Sequence, residues 1–281
     1  MRIILYASIV VLTIAFPQDT VSHASQALRI WGENIVPTLF PYMVFSRLLS
    51  QHLKSTQRSV IPVTALLGIL GGSPSGSMLI ASVASKLSRR SLHALCAFCG
   101  TISPMFILGS LQTWTGDPNL CRFLLMIHWM AAFLSAGFVW LLDRNHVKYT
   151  SADIPTFPSE NTKPLSQCID AILHVGGCII CYSVLAGFVA KLLPPRSALQ
   201  TIFHSILEIS GGTHAVWNSP LSQSTKIPLL SAALGFSGLS ILAQNHELLG
   251  QVGISMLRLV FYAALRAVCA FACVFLLTFF T

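Results

Sequence analysis

Charge is what this 281-residue sequence lacks most. Asp, Glu, Lys and Arg together make up 9% of it, against about 25% in a soluble globular domain. So few charges cannot coat a soluble surface of this size. Acidic residues are scarcest, nine against seventeen Lys and Arg, which leaves a formal charge of +8. That excess does not point to nucleic acid: the basic residues gather between apolar segments, with no recognition motif and no interleaved aromatics. Alternating apolar and polar runs are missing too, which argues against a β-barrel. "GGSPSG" has neither a preceding strand nor the lysine of a phosphate loop, and no acid–base constellation is clustered, so neither catalysis nor a cofactor is expected. The pairs Cys96/Cys99 and Cys178/Cys181 lie in apolar segments, where thiolates are costly. They read as small buried side chains one turn apart, not as a metal site.

What is present is apolar length. Hydrophobic residues make up 54% of the chain, in stretches that recur from end to end, which predicts an all-α polytopic membrane protein, in contact with the lipid bilayer. The expected segments are Arg2–Phe16, Arg29–Ser50, Ser59–Ser85, Leu92–Gln112, Leu120–Leu142, Gln167–Leu193, Ala198–Ser219, Ile227–His246 and Val252–Phe280. The first reads as a transmembrane helix with Arg2 inside, a cleaved signal peptide being the alternative. "PQDTVSHAS" then reads as a loop, and residues 143–166 as a polar cytoplasmic linker carrying "PTFPSENTKP".

Two segments are odd. Val60–Leu70 is long enough for about half of a ~30 Å hydrocarbon core. "GGSPSG" stops it, and a second half-length limb follows. Arg47, Lys54 and Arg58 precede the segment and Lys86, Arg89 and Arg90 follow it, which puts both ends on the cytoplasmic side. Residues 59–85 are therefore expected to form a re-entrant hairpin. Residues 198–219 read as a second, lopsided hairpin, with a long limb "ALQTIFHSILEIS" broken at "GGT". Three crossings and one hairpin then fall in each of residues 29–142 and 167–281. An odd number of crossings inverts the second unit relative to the first, giving two inverted-topology repeats after an N-terminal segment, residues 1–28. Each repeat also carries a broken helix, "FCGTISPMFILGS" in the first and "LGFSGLSILAQ" in the second.

Backbone groups freed by such breaks must be buried in protein or line a polar cavity. Helix starts there offer N–H groups to an anion or a polar ligand, and hydroxyls add adaptable hydrogen bonds. The expected contacts are Gly71, Gly72, Ser73, Ser75 and Gly76 at the first tip, and Gly211, Gly212 and Thr213 at the second. Thr101, Ser103, Ser237, Gly238 and Ser240 supply those of the broken helices. Glu208, just before "GGT", and Arg266 are ionisable groups at membrane depth, which makes them functional candidates. Arg258, Tyr262 and Arg266 share one helix face, with Glu208 a candidate partner. Glu33 and Asp170 read as acids near helix starts, and His174, one turn beyond Asp170, as an interhelical hydrogen-bonder with a proton relay as the alternative.

In order and spacing, "GENIVPTLFPYMVFSRLL", "GGSPSG", "FCGTISPMFILGS", "ILEISGGTHA" and "GFSGLSILAQ" resemble the YlbJ-type sporulation integral membrane proteins. These belong to the group with a nucleoside-recognition Gate domain, and the resemblance runs from about Arg29 to the C-terminus. It implies a layout similar to concentrative nucleoside transporters, with the solute held between hairpin tips and broken helices. It also implies a role in endospore formation, moving dipicolinic acid. The expectation is a transporter of a small anionic solute, with a proton or sodium ion as the coupling ion. A nucleoside transporter and a non-transporting spore-envelope assembly protein remain as alternatives.

Overall fold

The computed structural model describes residues 2–53, 60–143, 164–194 and 197–279, and these hold helices and no strand element. In order they are α1 (Arg2–Ala15), α2 (Pro17–Ile30), α3 (Val36–Leu53), α4 (Val60–Gly71), α5 (Ser75–Val83), α6 (Arg89–Cys99) and α7 (Gln112–Thr115). The remaining helices are α8 (Pro118–Leu142), α9 (Pro164–Leu192), α10 (Ala198–Leu207), α11 (Ile209–Trp217), α12 (Gln223–Phe236), α13 (Leu239–Leu249) and α14 (Met256–Phe279). Among the described residues, four stretches are long and apolar enough to cross a membrane: Pro118–Leu142, Leu165–Leu192, Gln223–Val252 and Met256–Leu277. Lys54, Arg58, Arg196 and linker residues 144–163 lie outside the described residues.

The expected loop after Phe16 is a helix instead. Proline is tolerated in a first helical turn, where its missing N–H has no partner to lose, and Pro17 occupies that turn. Asp19, also in that turn, pairs with Lys191 of α9. The helix passes through a π-turn at Trp31–Ile35 directly into α3, so one rod runs from Pro17 to Leu53 where Arg29–Ser50 was expected. Trp31 fixes it to α9, donating its indole N–H to the carbonyl of Ile172 at 3.0 Å.

The first helix pair, α4 and α5, turns where "GGSPSG" predicts. Gly72 adopts φ +61°, a backbone conformation that side chains disfavour. Its Cα lies against the backbone of Ile102 and Ser103, so that a Cβ there would collide with Ser103. The backbone N–H of Ser73 then donates to the carbonyl of Thr101 at 2.6 Å. The turn is thus docked on the break between α6 and the π-turn Phe106–Leu111.

The second pair, α10 and α11, turns three residues earlier than expected. Glu208 is the break, and Gly211 and Gly212 lie inside α11. The physical reason is capping. Glu208 sits in extended backbone (φ −141°), and its carboxylate accepts from the N–H groups of Ser210 and Gly211 at 2.9 and 2.7 Å. The glycines serve packing: a Cβ on Gly212 would collide with the backbone of Ser205, so the glycine lets the two limbs touch. The limbs are ten and nine residues long, so the pair is balanced and not lopsided.

The other break separates α12 from α13. Ser237 (φ 72°) and Gly238 (φ 81°) both take positive φ, which ends one helix and restarts another in a new direction. A Cβ on Gly238 would lie 3.1 Å from the backbone nitrogen of Ile209. Each helix–turn–helix pair therefore rests on a helix break from its own half of the chain. The main apolar core joins the halves, packing Ile80, Leu92 and Cys96 with Leu249, Ile254 and Ala263.

Candidate functional site

Four breaks in helical structure converge on one small cavity. Ser73 lines it from the first turn, Ile102 and Ser103 from the first broken helix, Glu208 and Ser210 from the second turn, and Ser240 with Gln244 from α13. Thr38 of α3 and Ile179 of α9 close it. Its volume is about 50 Å³, room for a water or two and not for a ring-sized solute. The starts of α11 and α13 face it, so their first N–H groups favour negative charge there. Glu208 already supplies some. Its side chain is 1% exposed, and the two N–H groups it accepts belong to the start of α11.

Polar groups around the cavity are incompletely satisfied. The hydroxyl of Ser240 and the amide nitrogen of Gln244, both buried cavity walls, have no hydrogen-bond partner among the described residues. The hydroxyls of Ser75 and Thr101 and the amide nitrogen of Asn245 are likewise buried without one. Most buried polar side-chain atoms in folded proteins are paired, so Ser240 and Gln244 bring free hydrogen-bonding capacity to the cavity wall. Asn245 also locks the site. Its Oδ1 accepts from the hydroxyl of Ser77 at 2.8 Å and from that of Ser73.

Of the residues expected from sequence, Ser73, Ser103, Glu208 and Ser240 line the cavity. Gly72 and Gly238 hold the turns against the breaks, and Gly71 lies beside Tyr42. Gly76 packs on the carbonyl of Cys99, while Gly211 faces His204. Ser237 and Thr213 bond back to their own helices, Ser237 to the carbonyl of Leu234 and Thr213 to that of Ile209.

Arg266 is 1% exposed, and its guanidinium donates from three nitrogens to backbone carbonyls. Nη1 donates to Ala97 at 3.0 Å, Nη2 to Gly100 at 2.7 Å and Nε to Gly235 at 3.2 Å. Those carbonyls end α6 and α12, the first limbs of both broken helices. The cation compensates two helix C-termini, and the expected pairing with Glu208 is not made. On the same face, Tyr262 shares a hydrogen bond with Nδ1 of His93 at 2.9 Å, and Arg258 approaches Nε2 of His93 at 3.5 Å.

Sequence reasoning missed Thr38, Gln244 and Asn245. Thr38 is an uncharged polar residue inside an apolar run; Gln244 and Asn245 begin the polar stretch "QNHE", and adjacency to "GFSGLSILA" was the available signal for them.

A second, larger cavity of about 260 Å³ adjoins the first. Pro74 and Met78 of the first helix pair, with Ala171 and Leu248, form its apolar wall. Arg47, Gln167, Asp170, His174 and Glu247 supply its polar one, and Gln244 lines both cavities. It lies toward the end of the bundle where α9 begins and α13 stops.

No family model matches this sequence, and no solved structure matches this fold. Among curated proteins the chain is similar to the sporulation integral membrane protein YlbJ of Bacillus subtilis (strain 168). The two are 23% identical over 300 aligned residues, which cover 86% of this chain and 73% of that protein. Together with its long apolar helices, this similarity makes the chain an integral membrane protein related to YlbJ, and it supports a YlbJ-type assignment.

Proposed function

We propose that the chain is a membrane transporter of a small solute, held between the two helix-pair turns and the two broken helices. The observation that carries this reading is the convergence of four chain breaks on one small cavity, walled by the buried Ser240 hydroxyl and Gln244 amide nitrogen, which have no hydrogen-bond partner among the described residues. Broken helices meeting at mid-membrane are the usual solution for binding a polar solute inside a bilayer. In this reading α4/α5 and α10/α11 are re-entrant hairpins, and residues 29–142 and 167–281 are inverted repeats. The matching seats of Gly72 on Ser103 and of Gly238 on Ile209 support that pairing. The cavity is too small for a ring as it stands, so loading requires the hairpins to move apart from the broken helices.

Dipicolinic acid is the first solute to test, from the resemblance to the sporulation proteins. A nucleoside is the second. It is favoured because the guanidinium of Arg266 serves backbone carbonyls, so the polar part of the cavity lining is hydroxyls, the Gln244 amide and the Glu208 carboxyl, beside apolar side chains and with no Lys or Arg among the lining residues. Uptake of labelled dipicolinate and labelled uridine into proteoliposomes, under imposed proton and sodium gradients, separates the two. Ser240→Leu, which fills the cavity, is expected to abolish uptake while the protein still folds. No uptake of either solute by the intact chain would overturn the transporter reading and leave a role in spore-envelope assembly.

A further inference from the structure

Gly211 sits between two titratable side chains. A Cβ there would lie 2.8 Å from Nε2 of His204 and 3.4 Å from Oε2 of Glu208. The imidazole and the carboxylate therefore face each other across the space a side chain would fill, a gap that one water spans. Oε2 is also the oxygen that accepts from the N–H of Gly211, at 2.7 Å. Among the described residues that line the central cavity, Glu208 alone is titratable, and none of the ion pairs among them includes it. His204 lies outside the lining. It is half-buried, with His23 of α2 and the exposed His214 of α11 within electrostatic range. The charged groups of the neighbouring helices are engaged elsewhere: Lys191 with Asp19, His174 with Glu247, Lys226 over the ring of Trp217 and Arg266 with its three carbonyls.

We propose that Glu208 carries the coupling proton of the transporter and that His204 delivers it. The coupling rests on the transporter reading; the proton site rests on Glu208, Gly211 and His204 alone. His204 takes a proton from water on the side of His23 and His214. The N–H bond at Nε2 breaks as an O–H bond forms on Oε2, directly or through one water, which leaves the imidazole neutral and the carboxyl uncharged. The proton leaves by way of the cavity, with the solute, once that opens at the other face. A sodium ion is the poorer fit. The starts of α11 and α13 direct N–H groups at the cavity, which oppose a metal cation but not a neutral acid. The proton also acts on the fold. On Oε2 it competes with the N–H of Gly211 for the oxygen that caps α11, and so loosens the turn that must move for the cavity to load. For an anionic solute it removes a charge that would oppose entry, in surroundings that screen less than bulk water.

The infrared band of protonated carboxyl groups in the purified full chain tests the proton site. It is expected to grow reversibly as pH falls, with one component missing in Glu208→Gln. His204→Phe keeps a ring of similar size and is expected to slow the growth of that component after a pH jump by about tenfold or more, with its final height unchanged. Gly211→Ala, which sets a methyl group between the two side chains, is expected to slow it likewise. Coupling is tested in proteoliposomes with labelled dipicolinate and labelled uridine, the membrane potential being abolished by an ionophore. A gradient of about one pH unit is expected to sustain accumulation of up to about tenfold at one proton per solute, and a sodium gradient none. In Glu208→Gln any remaining uptake is expected to ignore the pH gradient. A carboxyl band that is the same in Glu208→Gln overturns the proton site, and an unchanged rate in both His204→Phe and Gly211→Ala overturns the relay. Accumulation driven by sodium, or driven by pH in Glu208→Gln as in the intact chain, overturns the coupling and leaves the transporter reading standing. A chain with the expected band and rates that moves neither solute refutes the transporter reading, and the coupling with it, and leaves the proton site.

Discussion

Arg266 donates its Nη2 to the carbonyl oxygen of Gly100 at 2.7 Å, closing the end of α6 from a helix 166 positions along the chain. Through Nε it also holds the carbonyl of Gly235, near the end of α12. Glu208 does the opposite at the start of α11, where its carboxylate takes two free N–H groups. The two buried ions are of opposite sign, and each is compensated by helix ends rather than by the other.

Truncating Arg266 strands three buried carbonyls. Arg266→Ala is expected to cost about 3–5 kcal/mol, seen as a large drop in the thermal midpoint of the detergent-solubilised protein. Arg266→Lys keeps the charge but not the three-way geometry, and its midpoint falls between the two. An unchanged midpoint in both variants would show that the carbonyls do not need the guanidinium.

Glu208→Ala removes a cap and is expected to cost roughly 0.5–2 kcal/mol. Glu208→Gln keeps one acceptor oxygen and costs less. Amide hydrogen exchange checks the assignment locally. Faster exchange should be confined to Ser210 and Gly211, at the start of α11.

Gly72 and Gly109 make a matched pair of glycines. Gly72→Ala forces a Cβ into Ser103 at positive φ and is expected to abolish folding or solute binding. At Gly109 a Cβ meets nothing within 4 Å, so Gly109→Ala is expected to be neutral or to stabilise by up to about 1 kcal/mol. Fluorescence-detected size-exclusion profiles of the two variants would separate them.

Introduced cysteines report the topology. In a cysteine-free background, Gln57→Cys and Ser88→Cys are expected to react with an impermeant maleimide from one side of the membrane. Ser197→Cys and Ser222→Cys should react from the other. Labelling of Gln57→Cys and Ser88→Cys from opposite sides would make the first helix pair a crossing and remove the repeat symmetry.

The breaks at "GGSPSG" and "GFSG" are legible because glycine, proline and serine are poor helix formers in any context. The break at Glu208 is not. Its sequence neighbours are equally consistent with a turn at "GGT", and what decides is a carboxylate folding back on N–H groups, a preference that propensity does not encode. The continuous rod from Pro17 to Leu53 was hidden for a related reason: "PQDTVSHAS" is polar, and polarity in a membrane chain reads as loop. Contacts with α9, through Asp19 and Trp31, make it a helix. Gln244 and Asn245 escaped because the polar stretch "QNHE" reads as the end of an apolar segment, and nothing in it says which side chains turn to a cavity.

Asn245 takes hydrogen bonds from Ser73 and Ser77, about 170 positions earlier in the chain. The amide that finishes the first turn is thus stored in the other half of the sequence. Neither half is self-sufficient. Produced as separate polypeptides, the two halves would each carry an unfinished wall, and the cavity would come into being on their assembly. A lesion at position 245 would then reach the first turn without touching its sequence.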